Sequence, residues 1–200
     1  MRFAALASGR GSNVARLLAA QADGEIGPAE IVLLAVDRAC PAADLARGAG
    51  LPLYDAAARE TGMAEWERGL LARAAELGVE GWVLAGFMRV LSPAVVAASR
   101  GRMLNVHPSL LPAFPGRDAI GQALRHGVRV TGVTVHLVDE TLDGGPIVLQ
   151  EAVGILPGED EAALAERIHA VEHRLLPQAV RLLAQGRLSV SARTVTIMEG

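Results

Sequence analysis

Asn105 and His107 stand two residues apart in the stretch "LNVHPSLLPAFPG" (Leu104 to Gly116), and prolines follow at 108, 112 and 115. In an extended chain, residues i and i+2 point to one face. An amide donor and an imidazole are thus aimed at the same point. Proline fixes φ and leaves a loop less entropy to lose when a ligand docks. A second polar loop, "VDETLDGGP", carries Asp139, Glu140 and Asp143 just ahead of Gly144, Gly145 and Pro146. A carboxylate within about 4–6 Å favours a charged imidazolium. Asn, His and Asp together supply a donor to a carbonyl oxygen turning anionic, a group that moves a proton, and a base for the nucleophile. No Ser or Cys pairs obviously with His107, so direct attack by a substrate group fits better than a covalent enzyme intermediate. The plainer alternative is a buried His bonded to a carbonyl, with Asn105 in a turn and the carboxylates solvated. The prolines and glycines weigh against it, because sites gather on rigidly held loops.

A second constellation lies at the start of the chain. In "ASGRGSNVARLL", Gly9 and Gly11 match the first two glycines of a dinucleotide fingerprint, but Val14 occupies the third. Asp37 only loosely fills the place of the ribose-binding acid, and no Gly-Lys-Ser/Thr follows, so this is no Walker loop. Glycines still let backbone amides approach an anion, and a helix N-terminus offers unpaired N–H groups with partial positive charge. Phosphate binding is the reading we favour, with Ser12 or Asn13 adding a contact; the competing one makes Ser12 or Asn13 a mere helix cap.

A third, "HAVEH" (His169 to His173), matches H-x-x-E-H, an inverted zinc-peptidase signature. A complete zinc site needs a further protein ligand, and the sole acid downstream is Glu199. A polar helix face, or a ligand contact from Glu172 or His169, is the better account. His136 in "TVHLV" is expected to be structural, and His126 before Gly127 suits a helix C-terminus. Cys40, the one cysteine, looks inert.

The elements that must place these residues follow from the apolar patterning. "RFAALA" (Arg2 to Ala7), "EIVLLAV" (Glu30 to Val36), "GWVLAG" (Gly81 to Gly86) and "RMLNVH" (Arg102 to His107) read as strands covered on both faces. Helical patterns lie between them: "NVARLLAAQADG" after Ser12, "AADLARGAG", and "AEWERGLLARAAELG" with Gly78 as its C-cap. This alternation predicts right-handed crossovers and a parallel sheet. "RVTGVTVHLV" and "PIVLQEAV" then form an antiparallel hairpin. A long helix runs from about Glu161 to Ala184, and "RLSVSARTVTI" forms a final hairpin. The expected fold is α/β: Rossmann-like, with a mostly parallel twisted sheet, helices on both faces and an antiparallel C-terminal portion. One domain over residues 1–200 is expected, its first half binding phosphate and its second half carrying the chemistry.

Composition narrows the classes. The 200 residues are 51% hydrophobic and 20% charged, with net charge −3 and no basic run. That argues against nucleic-acid binding, which needs clustered positive surface. The apolar start, Met1 to Ala7, is too short for a signal peptide or a membrane span. A single cysteine fits a reducing compartment, and the expected location is cytoplasmic.

The motifs "SGRGSN", "LAGFMRVLSP", "LNVHPSLLPAFPG", "TGVTVHLVDETLDGGP" and "VEHRLLP" occur in this order over nearly the whole chain. In these the sequence resembles the folate-dependent formyltransferases of purine synthesis. The resemblance implies formyl transfer from 10-formyltetrahydrofolate, as co-substrate, to the amine of glycinamide ribonucleotide. Asn105, His107 and Asp143 then match the catalytic residues. Gly11, Ser12, Asn13, Pro108 and Glu172 match the ribonucleotide site, and Met88, Arg89, Val90, Leu91, Leu104, Val138 and Asp139 the folate site. Neither metal, nucleic acid nor membrane is implied, and the chain would work as a monomer or homodimer. Two rivals remain: a hydrolase releasing formate from the same folate, and a nucleotide-binding module without chemistry. The chain departs from some members in two places: Met63 and Ala64 stand where an Arg near the phosphate is found, and "RDAIGQ" (Arg117 to Gln122), with Asp118 and Ile120, replaces a histidine-bearing stretch.

Overall fold

The computed structural model describes residues 1–55, 60 and 62–199. Its strands are β1 (Arg2–Ala7), β2 (Glu30–Val36), β3 (Leu53–Tyr54), β4 (Gly81–Leu84), β5 (Met103–His107), β6 (Val130–Leu137), β7 (Ile147–Gly154), β8 (Leu188–Ser191) and β9 (Thr194–Ile197). The helices are α1 (Ser12–Ala22), α2 (Ala42–Gly48), α3 (Met63–Glu76), α4 (Pro93–Ala98), α5 (Ala119–His126) and α6 (Glu161–Ala184). All nine strands join one sheet in the order β3-β2-β1-β4-β5-β6-β7-β9-β8. From β3 to β5 every pairing is parallel, and β5–β6, β6–β7 and β8–β9 are antiparallel. This is the expected α/β sheet with its antiparallel C-terminal portion.

Strand alternation divides the core in two. Phe3, Ala5 and Ala7 of β1 pack beneath α1, α2 and α6 with Val14, Leu17, Ala46 and Leu176. Ala4 and Leu6 face the other side, against Trp66 and Leu70 of α3 and Val95 of α4. Side chains one apart on a strand point to opposite faces, so β1, apolar from Phe3 to Ala7, supplies both layers. The chain goes from β1 outward to β2 and β3, then crosses back to β4 on the other side of β1. A crevice opens at that reversal, outside the carboxyl ends of the strands, where open α/β sheets bind ligands.

Some boundaries differ from the expected ones. "GWVLAG" leaves the sheet after Leu84, because Gly86 takes a left-handed φ of 78°. Helix α4 was not foreseen, although Ser92 accepts from the Val95 amide as its cap and Pro93 occupies the first turn. Helix α5 was foreseen only at its end, where Gly127 closes it in the left-handed conformation behind His126. The two residues of β3 are too few to show a period. No helix among the described residues is long and apolar enough to cross a membrane.

Candidate active site

Strand β5 ends in Asn105 and His107, and antiparallel β6 lies beside it with His136 opposite Asn105. The loop from β6 to β7 brings Asp143 over both. Asp143 Oδ2 is 3.5 Å from His107 Nδ1. Asn105 Nδ2 lies 3.4 Å from Asp143 Oδ1. The backbone of Asp143 is left-handed, at φ 49°, a conformation Asp tolerates better than most residues. Its carboxylate is held there by the Gly116 amide, which donates to Oδ2 at 2.7 Å. Thus the proline loop and the acidic loop clasp each other through the carboxylate itself. Gly145 makes the approach possible: a Cβ there would lie 1.8 Å from the Leu137 carbonyl oxygen.

His107 is 5% exposed and lines neither cavity described below. Its Nε2 lies 2.9 Å from the Phe114 carbonyl oxygen, so in the protonated form both ring nitrogens have acceptors. The Leu111–Pro112 peptide in this loop is cis.

His136 belongs to this group, which sequence reasoning missed by treating it as structural. Its Nδ1 lies 3.0 Å from the Leu137 carbonyl oxygen, a contact that requires Nδ1 to carry the proton. Burial pushes its pKa down, outweighing the Leu137 carbonyl and Asp143, which pull it up. The neutral ring then presents the Nε2 lone pair to Asn105 Nδ2, 3.0 Å away. That bond fixes which end of the Asn105 amide faces Asp143. The signal available in sequence was the β5–β6 pairing, which puts residue 136 across from residue 105.

Two cavities flank the cluster. One, of about 210 Å³, is lined by Leu84, Phe87, Leu91, Val138, Asn105 and Asp143 among others. Arg89, Val90 and Asp139 also line it. Phe87 is stacked on Trp66 at 5.6 Å, giving this cavity a stiff aromatic wall. Two residues expected here lie elsewhere. Leu104 is fully buried in the core beneath the sheet, because it points opposite to Asn105 on β5. Met88 lines the second cavity instead, with its amide donating to Ser8 Oγ at 2.8 Å.

The second cavity, of about 410 Å³, is lined by Gly9, Gly11, Ser12, Asn13, Pro108 and Glu172, together with His169 and Ile120. Helix α1 begins here behind Gly11, whose φ is 80°, and no side chain caps it. Neither Ser12 nor Asn13 is therefore the cap; the N-terminal amides of an 11-residue helix with no acid in its first turn face the cavity. A Cβ on Gly11 would meet Ala42 Cβ at 2.8 Å, whereas Gly9 has open space. Asn13 turns inward and donates from Nδ2 to Glu172 Oε2 at 2.9 Å, tying α1 to α6. Burial pushes the Glu172 pKa up, against the opposing pulls of Asn13 and two histidines.

Of the zinc-like motif, His169 and Glu172 reach the second cavity, while His173 Nε2 is buried without a partner among the described residues. No group of His, Cys, Asp and Glu among the described residues could hold a metal ion. Asp118 starts α5 and pairs with Arg125 at 2.8 Å. Asp37 is no ribose acceptor. Its carboxylate is completely buried against Arg38 and Arg89, which occupy Oδ2 at 2.7 and 2.9 Å.

Residues 1–180 match the family model described as "Formyl transferase". The chain belongs to that family. It is similar to the phosphoribosylglycinamide formyltransferase of Mycobacterium tuberculosis, 44% identical over 199 residues, covering 98% of this chain and 91% of that protein. Among solved structures it resembles glycinamide ribonucleotide transformylase 1 from Symbiobacterium toebii, with TM-score 0.95 and 40% identity, covering 100% of this chain and 94% of that one. It also shares its fold with a formyltetrahydrofolate deformylase from Pseudomonas syringae, with TM-score 0.91 at 23% identity, covering 99% of this chain and 66% of the other. At that identity the likeness concerns the fold alone.

Proposed function

We propose that this protein transfers the formyl group of 10-formyltetrahydrofolate to the primary amine of glycinamide ribonucleotide, a step of purine synthesis. The observation that carries the reading is the position of Asn105, His107 and Asp143 between two cavities of different character. The one beside Asn105 is the smaller, with apolar and aromatic walls on one part and Arg89, Asp139, Glu140 and Asp143 on another, and suits a folate with its flat ring system. The one at α1 ends in uncapped helix amides and suits a phosphate.

In this reading the amine nitrogen attacks the formyl carbon, and the carbonyl oxygen gains negative charge. Asn105 Nδ2 has two protons. His136 holds one at 3.0 Å, and the other makes only the long 3.4 Å contact to Asp143. The weaker contact is the one the developing oxyanion displaces. His107, protonated and paired with Asp143, adds positive charge on the same side. The attacking amine loses one proton and the folate nitrogen takes one up as its bond to carbon breaks. Asp143 is the group placed to relay it.

A hydrolase would use the same trio to activate water, but it has no second, phosphorylated substrate to hold. The uncapped amides at Gly11 to Asn13 favour the transferase. The test is to follow loss of formyl-folate with and without glycinamide ribonucleotide. Amine-dependent loss with one formylated product per folate consumed is expected. Equal loss in the absence of the amine would establish the hydrolase instead.

A further inference from the structure

The hairpin of β8 and β9 lines neither cavity, and the chemistry above makes no use of it. It is anchored in two ways. Leu188 and Val195, partly buried, pack against the core layer that holds Phe3 and Leu176. Thr194 pairs with Ile147 of β7, the single register pair that joins the hairpin to the sheet. That pairing brings the turn of the hairpin, Ala192 and Arg193, alongside the acidic loop that carries Asp143. Ala192 holds the turn in the left-handed conformation, at φ 51°, which a non-glycine residue adopts only at a cost. From this turn Arg193 Nη2 donates to the Gly144 carbonyl oxygen at 2.7 Å, across 49 residues of sequence. It is the one hydrogen bond Arg193 makes among the described residues, and nothing else among them donates to that carbonyl.

Gly144 directly follows Asp143, whose own backbone is left-handed. The outer part of the loop, Glu140 to Leu142, is exposed. On the inner side the Gly116 amide fixes the Asp143 carboxylate, and the Gly144 amide closes the turn onto the Thr141 carbonyl at 3.0 Å. The peptide from Gly144 to Gly145 is left to the Arg193 guanidinium. A charged donor makes the stronger kind of hydrogen bond.

We propose that Arg193 is a positioning residue for the reaction: from the tip of the C-terminal hairpin it clasps the peptide that follows Asp143 and so holds the Asp143 carboxylate over His107 and Asn105. This rests on the formyl-transfer reading of that trio. A reacting group that drifts from its place loses rate steeply, and Asp143 is the member of the trio carried by a loop rather than a strand. The plainer account is that Arg193 only pins the hairpin down. Leu188, Val195 and the Thr194 pairing already do that, so on the plainer account its removal would leave the acidic loop as it was.

The test compares the full chain with Arg193→Ala and Arg193→Lys, by steady-state kinetics and by hydrogen–deuterium exchange of the backbone amides over residues 139–145. Arg193 is exposed, so both variants are expected to fold. Arg193→Ala should lower kcat about three- to tenfold, the loss that one hydrogen bond allows, while KM for glycinamide ribonucleotide stays within about twofold. Exchange over 139–145 should quicken by a similar factor, with the amides of α1 unchanged, because the opening is local. Arg193→Lys keeps a charged donor without the planar fork and should restore part of both. A kcat for Arg193→Ala within about twofold of the wild type overturns the proposal. Unchanged exchange over 139–145 overturns it too, and so does a fall in kcat matched by faster exchange in α1, which would be a general loss of stability. A wild type that transfers no formyl group would contradict the reading of function, and the exchange measurement would still decide whether Arg193 holds the loop.

Discussion

The two cavities are built by opposite means. At α1 the ligand-facing groups are backbone amides, set by a left-handed Gly11 and the end of a helix. Beside Asn105 they are side chains, each oriented by a neighbouring group: Asn105 by His136, Asp143 by the Gly116 backbone amide, Arg89 by Asp37. A backbone cradle tolerates side-chain changes except where a Cβ would block it. A side-chain cluster fails when any one member is removed, because its neighbours lose their orientation along with a partner. The first arrangement suits holding a phosphate that takes no part in the reaction. The second suits chemistry, where the direction of each donor matters.

Mutations should separate the two. Asp143→Asn keeps the shape of the carboxyl but removes its charge and its capacity to take a proton. Steady-state kinetics should show turnover falling by about 10²–10⁴-fold, the usual contribution of a proton-transfer group, with the folded state intact by circular dichroism. Unchanged turnover would remove Asp143 from the chemistry. Gly11→Asp should act on the other cavity alone. It puts a side chain where φ is 80° and a Cβ is crowded, and brings a negative charge to the phosphate cradle. Binding of glycinamide ribonucleotide should weaken by on the order of 10²-fold while folate affinity stays within twofold, by analogy with the loss of charge-assisted bonds. Parallel loss of both, in a folded variant, would mean the cavities are not independent.

A smaller effect is expected from His136→Phe, which preserves volume but frees the Asn105 amide. Losing a buried hydrogen-bond partner costs about 1–3 kcal/mol of stability, so the melting temperature should fall. Turnover should fall with it, because Asn105 Nδ2 loses the contact that aims it; unchanged turnover in the folded variant would remove His136 from the site. The smallest effect concerns Glu172. Burial raises its pKa in the folded chain, so the folded state binds a proton more tightly than the unfolded one. Its contribution to stability is then greatest below the ordinary carboxylate range and is lost as pH rises through the raised value. Glu172→Gln, neutral at every pH, should melt above the wild type at pH 7 and near it at pH 4. A gap of equal size at both pH values would contradict this.

Much of this was legible in the sequence. The strands over 2–7 and 30–36 and the helix over 161–184 match their expected bounds, because each carries an unbroken apolar pattern of clear period. The convergence of Asn105, His107 and Asp143 followed from strand alternation plus two stiff loops. What escaped depended on partners distant in sequence. His136 became legible only through the register of β5 on β6. Asp37 looked like a loose ribose acceptor, because nothing local shows that Arg38 and Arg89 close over it. Leu104 and Met88 were assigned to one wall by motif, and the pleat of β5 and the bend at Gly86 put them elsewhere. Helix α4, six residues long, is short enough that its cap carried more information than its apolar pattern.

The most direct test is a crystal structure of the protein with glycinamide ribonucleotide and a non-transferring folate analogue bound together. The phosphate should lie on the amides of Gly11 to Asn13, the folate ring against Leu91 and Val138, and the amine should meet the formyl-bearing position within contact of Asn105 and Asp143. Both molecules in one cavity, or a phosphate seated away from the start of α1, would contradict the two-cavity account.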